Sequence, residues 1–456
     1  MIFRVFSFLL AGVLFFSVNS WAFLPEFSLS KEAELGRKFK QYIRSHFPLI
    51  QDPEIVSYVR NIVQRLARTV PNYPFKIEVD VVNNNSMNAF ATLAGYMVVY
   101  SGMIVHVDSD SELAGVLAHE LAHLTQRHVA KNIERSRLIG LGTMLTLLAG
   151  IFVGGNTQAG QALIVGSLAG GQTALLKYSR DDEREADQIG LNYLLKAGYN
   201  PWGMVLIFEK IRRQKWLSGA SIPTYMSTHP GIEERINYLK DRLTRLHVKP
   251  KLIKSNKLKI VQTLLMAKYS EPEIAFSFFK NNDCYSTLGK GILYTRLNKL
   301  NKAKRCFIVL EKSSCKNSVF YREAGIFYYK FGKLNEALNN LQRALLLNPE
   351  DSLTMFYYAR ALAEKGDVPN ASKYFQEALK NMSFDPKAHE IVGIFYGKQG
   401  KMFLAHLHLA YAYLLEHRFQ QFKFHFKKAK SLQKTLEDKK ELEKLEKQYK
   451  LISKPF

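Results

Sequence analysis

Gly291, Gly325, Ala359 and Gly393 recur at a spacing of about 34 residues, and a chain that keeps such a register has few folds open to it. Tyr294, Tyr328, Leu362 and Tyr396 hold the same phase. Ala303, Ala337, Ala371 and Ala405 stay small, while Phe307, Leu341, Phe375 and Leu409 stay large. One period of this length accommodates one pair of helices, and no single pair can bury its apolar face alone, so the units must stack. Small residues let the two helices of a unit approach, and large ones are expected to fill the gap between neighbouring units. Residues 261–456 are therefore expected to form an α-solenoid. The Lys- and Glu-rich stretch from Ser431 to Ile452 reads as a polar helix covering its open end, with a solvated charged tail as the alternative.

The chain is 456 residues long, too long for one ordinary core, and its 47% hydrophobic and 23% charged residues describe a globular protein. MIFRVFSFLLAGVLFFSVNSWA opens it: Arg4, an apolar run from Val5 to Val18, then small residues at Ser20 and Ala22. That order reads as a cleavable secretory signal over residues 1–22; the run is short of the ~20 residues that a spanning anchor needs. Cys284, Cys306 and Cys315 all fall in the C-terminal half, so export permits one disulfide and leaves one thiol, with the pairing open. The formal charge is +24 and becomes +23 once Arg4 is removed. An excess of this size fits peripheral contact with an anionic membrane, or reflects only a lysine-rich composition. No recognisable nucleic-acid-binding module accompanies it, and export argues against that partner.

Between residues 23 and 247 the pattern is mixed. Helical periodicity runs from Ser30 to about Val70, with Asp52 and Pro53 as cap and first turn. Phe75–Val82 and Tyr96–Tyr100 read as strands flanking Asn83, Asn84 and Asn85, which predicts a small β-sheet. Ser109 and Glu112 fit a capping box, and Leu113, Val116, Leu117, Leu121 and Leu124 cover so much of the next helix that it should be buried. From Leu138 to Leu176 the chain is apolar and glycine-rich: a core hairpin, a lid or a membrane-touching flap, but too broken to span a bilayer. The basic stretch 248–260 reads as the linker between the two domains.

That buried helix carries His119-Glu120-Leu121-Ala122-His123. Two imidazoles four residues apart lie one turn apart, so both reach one metal ion, with Glu120 beside it as general base. A zinc ion held by three protein groups brings the pKa of water down toward ~7, which supplies a nucleophile at neutral pH. The third ligand is not downstream on the same helix. Where an H-E-x-x-H-x-x-G-x-x-H pattern has glycine and histidine, this chain has Gln126 and Val129. His128, nine residues past His119, falls on the opposite face of a continuous helix and reads as an ordinary surface or core-edge residue. The candidate is Glu183 in DDEREADQIG, with Asp187 one turn later to orient a liganding histidine; a solvated acidic helix start is the competing explanation.

His119-Glu120-x-x-His123, Ser179-Arg180 leading to Glu183-x-x-Ala186-Asp187, and Thr228-His229-Pro230 followed by Arg235 resemble the envelope-associated zinc metallopeptidases of family forty-eight. Asn88-Ala89-Phe90 with Gly95-Tyr96 is similar to that family's substrate-binding edge strand. The resemblance implies a mainly α fold with a small β-sheet: a gluzincin-like metallopeptidase domain followed by a tetratricopeptide (TPR) α-solenoid. It also implies one Zn2+ per subunit, held by His119, His123 and Glu183, with Glu120 catalytic. His229 then becomes a gate or fourth ligand, although Pro230 also suits a first helical turn; Arg235 becomes an oxyanion or substrate-positioning candidate. Members with an export signal and helical repeats imply a periplasmic endopeptidase. Its expected partners are unfolded outer-membrane proteins and, through the repeats, the β-barrel assembly machinery. A chaperone or assembly adaptor with a latent metal site is the alternative.

Overall fold

The computed structural model describes residues 27–135, 178–217, 224–251 and 254–453; the expected leader and the glycine-rich stretch 138–176 lie outside the described residues. Helix α1 (Leu29–His46) and helix α2 (Pro53–Ala67) come first. Asp52 accepts a hydrogen bond from the Glu54 N–H and Pro53 fills the first turn of α2, as expected of this pair. Strands β1 (Glu78–Val82), β2 (Ala89–Ala91) and β3 (Tyr96–Tyr100) form one sheet in the order β1-β3-β2, with β1 parallel and β2 antiparallel to the central strand. The first strand starts at Glu78, later than the Phe75 expected. Its partner β3 begins opposite at Tyr96, and Gly95, at φ 81°, turns the chain away there. Lys40 and Arg44 pin α1 to the sheet through Glu78 and Asp80, both at 2.6 Å.

The short helix α3 (Ser101–His106) leads into α4 (Asp110–Thr125), which is buried along almost its whole length. Ser109 caps α4 by accepting from the Glu112 N–H, but the Glu112 carboxylate accepts from Asp108 N and not from Ser109. The expected box is thus displaced by one residue. After α5 (His128–Arg135), helices α6 (Arg180–Lys196) and α7 (Trp202–Leu217) pack on either side of α4. Glycine lets them come so close: a Cβ at Gly190 of α6 would lie 2.9 Å from the Ala118 carbonyl, and one at Gly203 of α7 only 2.1 Å from that of Ser111. Two shorter helices, α8 (Thr224–Thr228) and α9 (Ile232–Arg245), close this half.

The repeat half opens with α10 (Asn256–Tyr269) and α11 (Pro272–Phe278). Four antiparallel pairs follow: α12 (Cys284–Arg296) with α13 (Leu300–Lys312), α14 (Ser318–Lys330) with α15 (Leu334–Leu347), α16 (Ser352–Glu364) with α17 (Val368–Asn381), and α18 (Pro386–Lys398) with α19 (Met402–Leu415). Helices α20 (Phe419–Leu432) and α21 (Leu436–Ser453) complete the chain. The periodic glycines do what small residues must, and the large positions divide: Phe307 and Phe375 reach the next unit as expected, against Phe327 at 4.9 Å and Phe395 at 5.0 Å, while two leucines turn inward. Leu341 and Leu409 press against Gly325 and Gly393 of their own pairs, where a Cβ would meet the leucine Cγ at 2.5 and 2.9 Å. Cys284 and Cys315 are disulfide-bonded and Cys306 is free.

Residues 256–260, expected within a linker, are already helical. Ser255 caps α10, and Gln262 donates to the carbonyls of Ile104 and Val107 at 3.0 and 2.8 Å, docking the helix beside α3. One apolar core consequently runs from Ile50 and Ile55 through Val261 and Leu288 to Phe327 and Leu341. A buried charge knot crosses the same seam: Arg322 of α14 donates to Asp52, Glu323 and Asp351, and Lys268 of α10 bonds Asp52 and Glu323. The polar terminal helix buries Leu442, Leu445 and Ile452, touching both α19 and α1. No helix among the described residues is long and apolar enough to cross a membrane.

Candidate metal centre

Helix α4 presents His119 and His123 one turn apart, their Nε2 atoms 2.9 Å from each other and their rings edge to face. The start of α6 aims Glu183 at them. Ser179 and Asp182 form a reciprocal capping box, which places Glu183 in the first turn, and Gly190 lets α6 lie against α4. Its carboxylate oxygens sit 3.3 Å from His123 Nε2 and 3.5 Å from His119 Nε2. His229 follows α8, its ring stacked on Tyr225 at 4.2 Å, with Nδ1 2.9 Å from Glu183 and 3.3 Å from His119 Nε2. Ligand atoms of these four buried side chains all lie within 4.8 Å of one another. Pro230 is not in a first helical turn: Gly231, at φ 77°, caps α9, which begins at Ile232.

Glu120 flanks the cluster. One carboxylate oxygen accepts from Ala91 N at 3.0 Å; the other is buried with no hydrogen-bond partner among the described residues and lies 3.5 Å from His229 Nε2, which also has none among them. Leaving a buried polar atom unpaired costs about 1–3 kcal/mol. Two orphaned atoms beside two imidazoles and a carboxylate are what a divalent cation and its solvent would satisfy, and nitrogen and oxygen donors of this kind suit such a cation.

A second ring of contacts fixes the first. His119 Nδ1 donates to Asp187 at 2.9 Å, and Arg235 donates to both Asp187 oxygens at 2.7 Å and to Glu183, its guanidinium 4.4 Å over the Phe208 ring. Tyr238 adds a hydrogen bond to Asp187. The donors of Arg235 face these carboxylates, so it lies behind the ligands. His123 Nδ1 is 2.8 Å from His128 Nδ1, whose far nitrogen meets Glu185 at 3.0 Å, and Tyr178 stacks on the His123 ring at 3.8 Å. His128 is thus neither a surface nor a core-edge residue. Helix α4 stops at Gln126, Arg127 takes φ 55° with its guanidinium bound to Glu32, and the chain folds back to bury His128. A left-handed arginine leaves no glycine in the sequence to signal that turn, and nothing in the pattern singled out Tyr178, Tyr225 or Phe208.

Electrostatics follow from burial and these pairings. Burial favours uncharged His119, as does Arg235 nearby, but bonds to Asp187 and Glu183 outweigh both and lift its pKa to about 9. Burial depresses His123 well below the usual range and raises Glu120. Burial alone would also raise Glu183 and Asp187; the Arg235 guanidinium reverses this and holds both ionised.

Among the described residues strand β2 is an edge strand of the sheet, and Asn88 precedes it with its carbonyl accepting from Tyr100 N at 3.0 Å. Ala89 and Phe90 are paired with Val99 and Val98, and the Phe90 ring is buried against Tyr100. On the edge side, Ala91 N meets Glu120 and Ala91 O meets the Tyr178 hydroxyl at 3.5 Å. Gly95 and Tyr96 belong to the turn and the central strand, where Tyr96 donates to Asp80 at 3.0 Å.

Two imidazoles from one helix and a carboxylate from a second, with a glutamate and an edge strand beside them, define a metal-dependent peptidase. Residues 54–243 match peptidase family M48 and residues 328–393 match the tetratricopeptide repeat: the chain carries a family M48 peptidase domain followed by tetratricopeptide repeats. It is similar to the beta-barrel assembly-enhancing protease of Escherichia coli (strain K12), 26% identical over 378 residues, which cover 80% of this chain and 76% of the relative. The protein of the same description from Yersinia pestis is 32% identical over 225 residues, 49% of this chain and 46% of the relative. The mitochondrial metalloendopeptidase OMA1 of Arabidopsis thaliana is 36% identical over 165 residues, 36% and 30% of the two chains.

Proposed function

We propose that this chain is a zinc endopeptidase of the Gram-negative periplasm that degrades misfolded or stalled outer-membrane β-barrel proteins and assists their assembly. The observation that carries the reading is the convergence of His119, His123 and Glu183 beside an unpartnered oxygen of Glu120; likeness over most of the chain to β-barrel assembly-enhancing proteases supports the client class.

In this reading His119, His123 and Glu183 hold one zinc ion, which supplies Lewis acidity that makes water nucleophilic near neutral pH. Asp187 and His128 fix the ring orientations through the far nitrogens, and Arg235 holds Glu183 and Asp187 in place. Glu120 accepts the proton at its free oxygen and passes it to the leaving amine. A client strand pairs along β2, displacing Glu120 and Tyr178 from Ala91, which favours polypeptides that have lost their own structure. The repeats contact clients or the assembly machinery, and the cationic surface lies beside anionic lipid. That last contact predicts membrane association that weakens with salt.

His229 holds the site shut. With Nδ1 on Glu183 and Nε2 beside Glu120, it occupies the space that a scissile peptide needs, and hydrolysis requires it to swing away. The same observation favours a second reading, an assembly adaptor whose metal site stays latent. Glu120→Gln separates the two. The peptidase reading expects turnover of stalled clients to stop while assembly support persists; unchanged turnover and unchanged assembly contradict it.

A further inference from the structure

A cavity of about 280 Å3 separates α1 from the terminal helix α21. Its floor is apolar: Phe384, Leu415, Leu451 and Ile452. Every charged residue that lines it is basic. Lys40 and Arg44 are already spent on Glu78 and Asp80, and Lys444 lies 3.8 Å from Glu441, but Arg37 and Lys447, one on each side, are exposed and have no salt-bridge partner among the described residues. Gln448, in the same wall, has a buried Nε2 with no acceptor among the described residues. The Phe384 ring is held in place by Arg44 at 5.0 Å and by Gln51, which donates to its carbonyl at 2.7 Å.

We infer that this cavity binds a single-chain anionic amphiphile of the fatty-acid class, its acidic head between Arg37 and Lys447 and its hydrocarbon tail on the apolar floor. Charge complementarity selects the head, since an acid is the group that two unpaired cations and a free amide donor lack. The walls select the tail. They are built almost entirely from helices whose main-chain groups bond internally, so an extended peptide laid there would bury donors and acceptors that no strand edge could pair. A hydrocarbon chain brings none. The volume lies just under the roughly 300–1,000 Å3 typical of small-molecule sites, which suits one chain and not two. An occupant would bridge the first and last helices, tying the end of the repeat stack to the helix that is pinned on the catalytic sheet.

The test is titration of the full mature chain with dansylundecanoic acid, followed by displacement with dodecanoic acid and with dodecanol. Saturable, blue-shifted fluorescence is expected, reversed by the acid and at least about tenfold less readily by the alcohol. Replacing both Arg37→Gln and Lys447→Gln should weaken probe binding about tenfold while peptide hydrolysis and circular dichroism stay unchanged. Leu451→Trp should block the tail, and Phe384→Glu, at an exposed position of the floor, should weaken binding by setting a carboxylate against the tail should the first variant not fold. Absence of saturable binding, equal displacement by acid and alcohol, or full binding in Phe384→Glu overturns the inference. So does stronger displacement by an apolar peptide with a free C-terminal carboxylate, which would make the occupant a polypeptide.

Discussion

Arg235 illustrates how far from the reacting atoms a side chain can sit and still decide the chemistry. It is buried, and its donors hold Glu183 and Asp187. Arg235→Met strands two buried carboxylates, so a loss of about 3–5 kcal/mol in denaturant-measured stability is expected, together with metal affinity lowered about 10–100-fold in a competition titration. His229→Ala should act in the opposite sense. It removes the ring that fills the site and is expected to raise the rate of hydrolysis of an unfolded model substrate while leaving metal content intact. The sequence spacing sufficed to point at His119 and His123, because a helix turns every 3.6 residues whatever surrounds it, whereas Glu183, on another helix, rested on its acidic context and on the resemblance. His128 was hidden by a contact 95 residues away in the chain: Glu32 binds Arg127 at the left-handed turn, and no local pattern announces such a pairing.

Glycines placed between helices do as much as the ligands they bring together. Gly190 lets α6 cross α4 with the Ala118 carbonyl 2.9 Å from where a Cβ would be, and Glu183 rides on that helix two turns earlier. Gly190→Val should therefore push α6 outward, destabilising the fold by about 1–3 kcal/mol and reducing bound metal by more than its effect on stability implies, as thermal melts and metal analysis of the same preparation would reveal. The helical pairs of the second half were legible because four units repeat one error-tolerant pattern, and the small-against-large contact of Gly325 with Leu341 is the physical content of that pattern. Gly190 and Gly203 lacked such repetition. A single glycine in a helical stretch reads equally well as a weak point or a crossing, and only the partner helix decides.

The two halves behave as one body because a common core and a charge knot cross the seam between them. The basic stretch 248–260 looked like a linker in isolation; its last residues are helical because Gln262 and its neighbours find partners on α3, far back in the chain. A single cooperative calorimetric transition for the mature protein is expected, and two separated transitions would contradict a shared core. Asp52 contributes to the acid limit of that transition. Burial would raise its pKa, but Arg322 and Lys268 pull it down to about 2 from an ordinary 3.8. The folded value is the depressed one, so its contribution of about 2 kcal/mol is present above pH 4 and lost as pH falls toward 2. Arg322→Met should reduce that slope in stability measured between pH 5 and 2, leaving the part that Lys268 supplies, at a cost of about 3–5 kcal/mol near neutrality.

Elemental analysis of the purified mature chain, beside its Glu183→Ala and Glu120→Gln variants, decides whether one ion joins the two crossing helices. About one equivalent of zinc per chain is expected in the native protein and in Glu120→Gln, with hydrolysis lost in the latter, and a large loss of zinc is expected in Glu183→Ala. Full zinc occupancy in Glu183→Ala, or undiminished peptide hydrolysis by chains stripped of metal, would contradict the whole scheme.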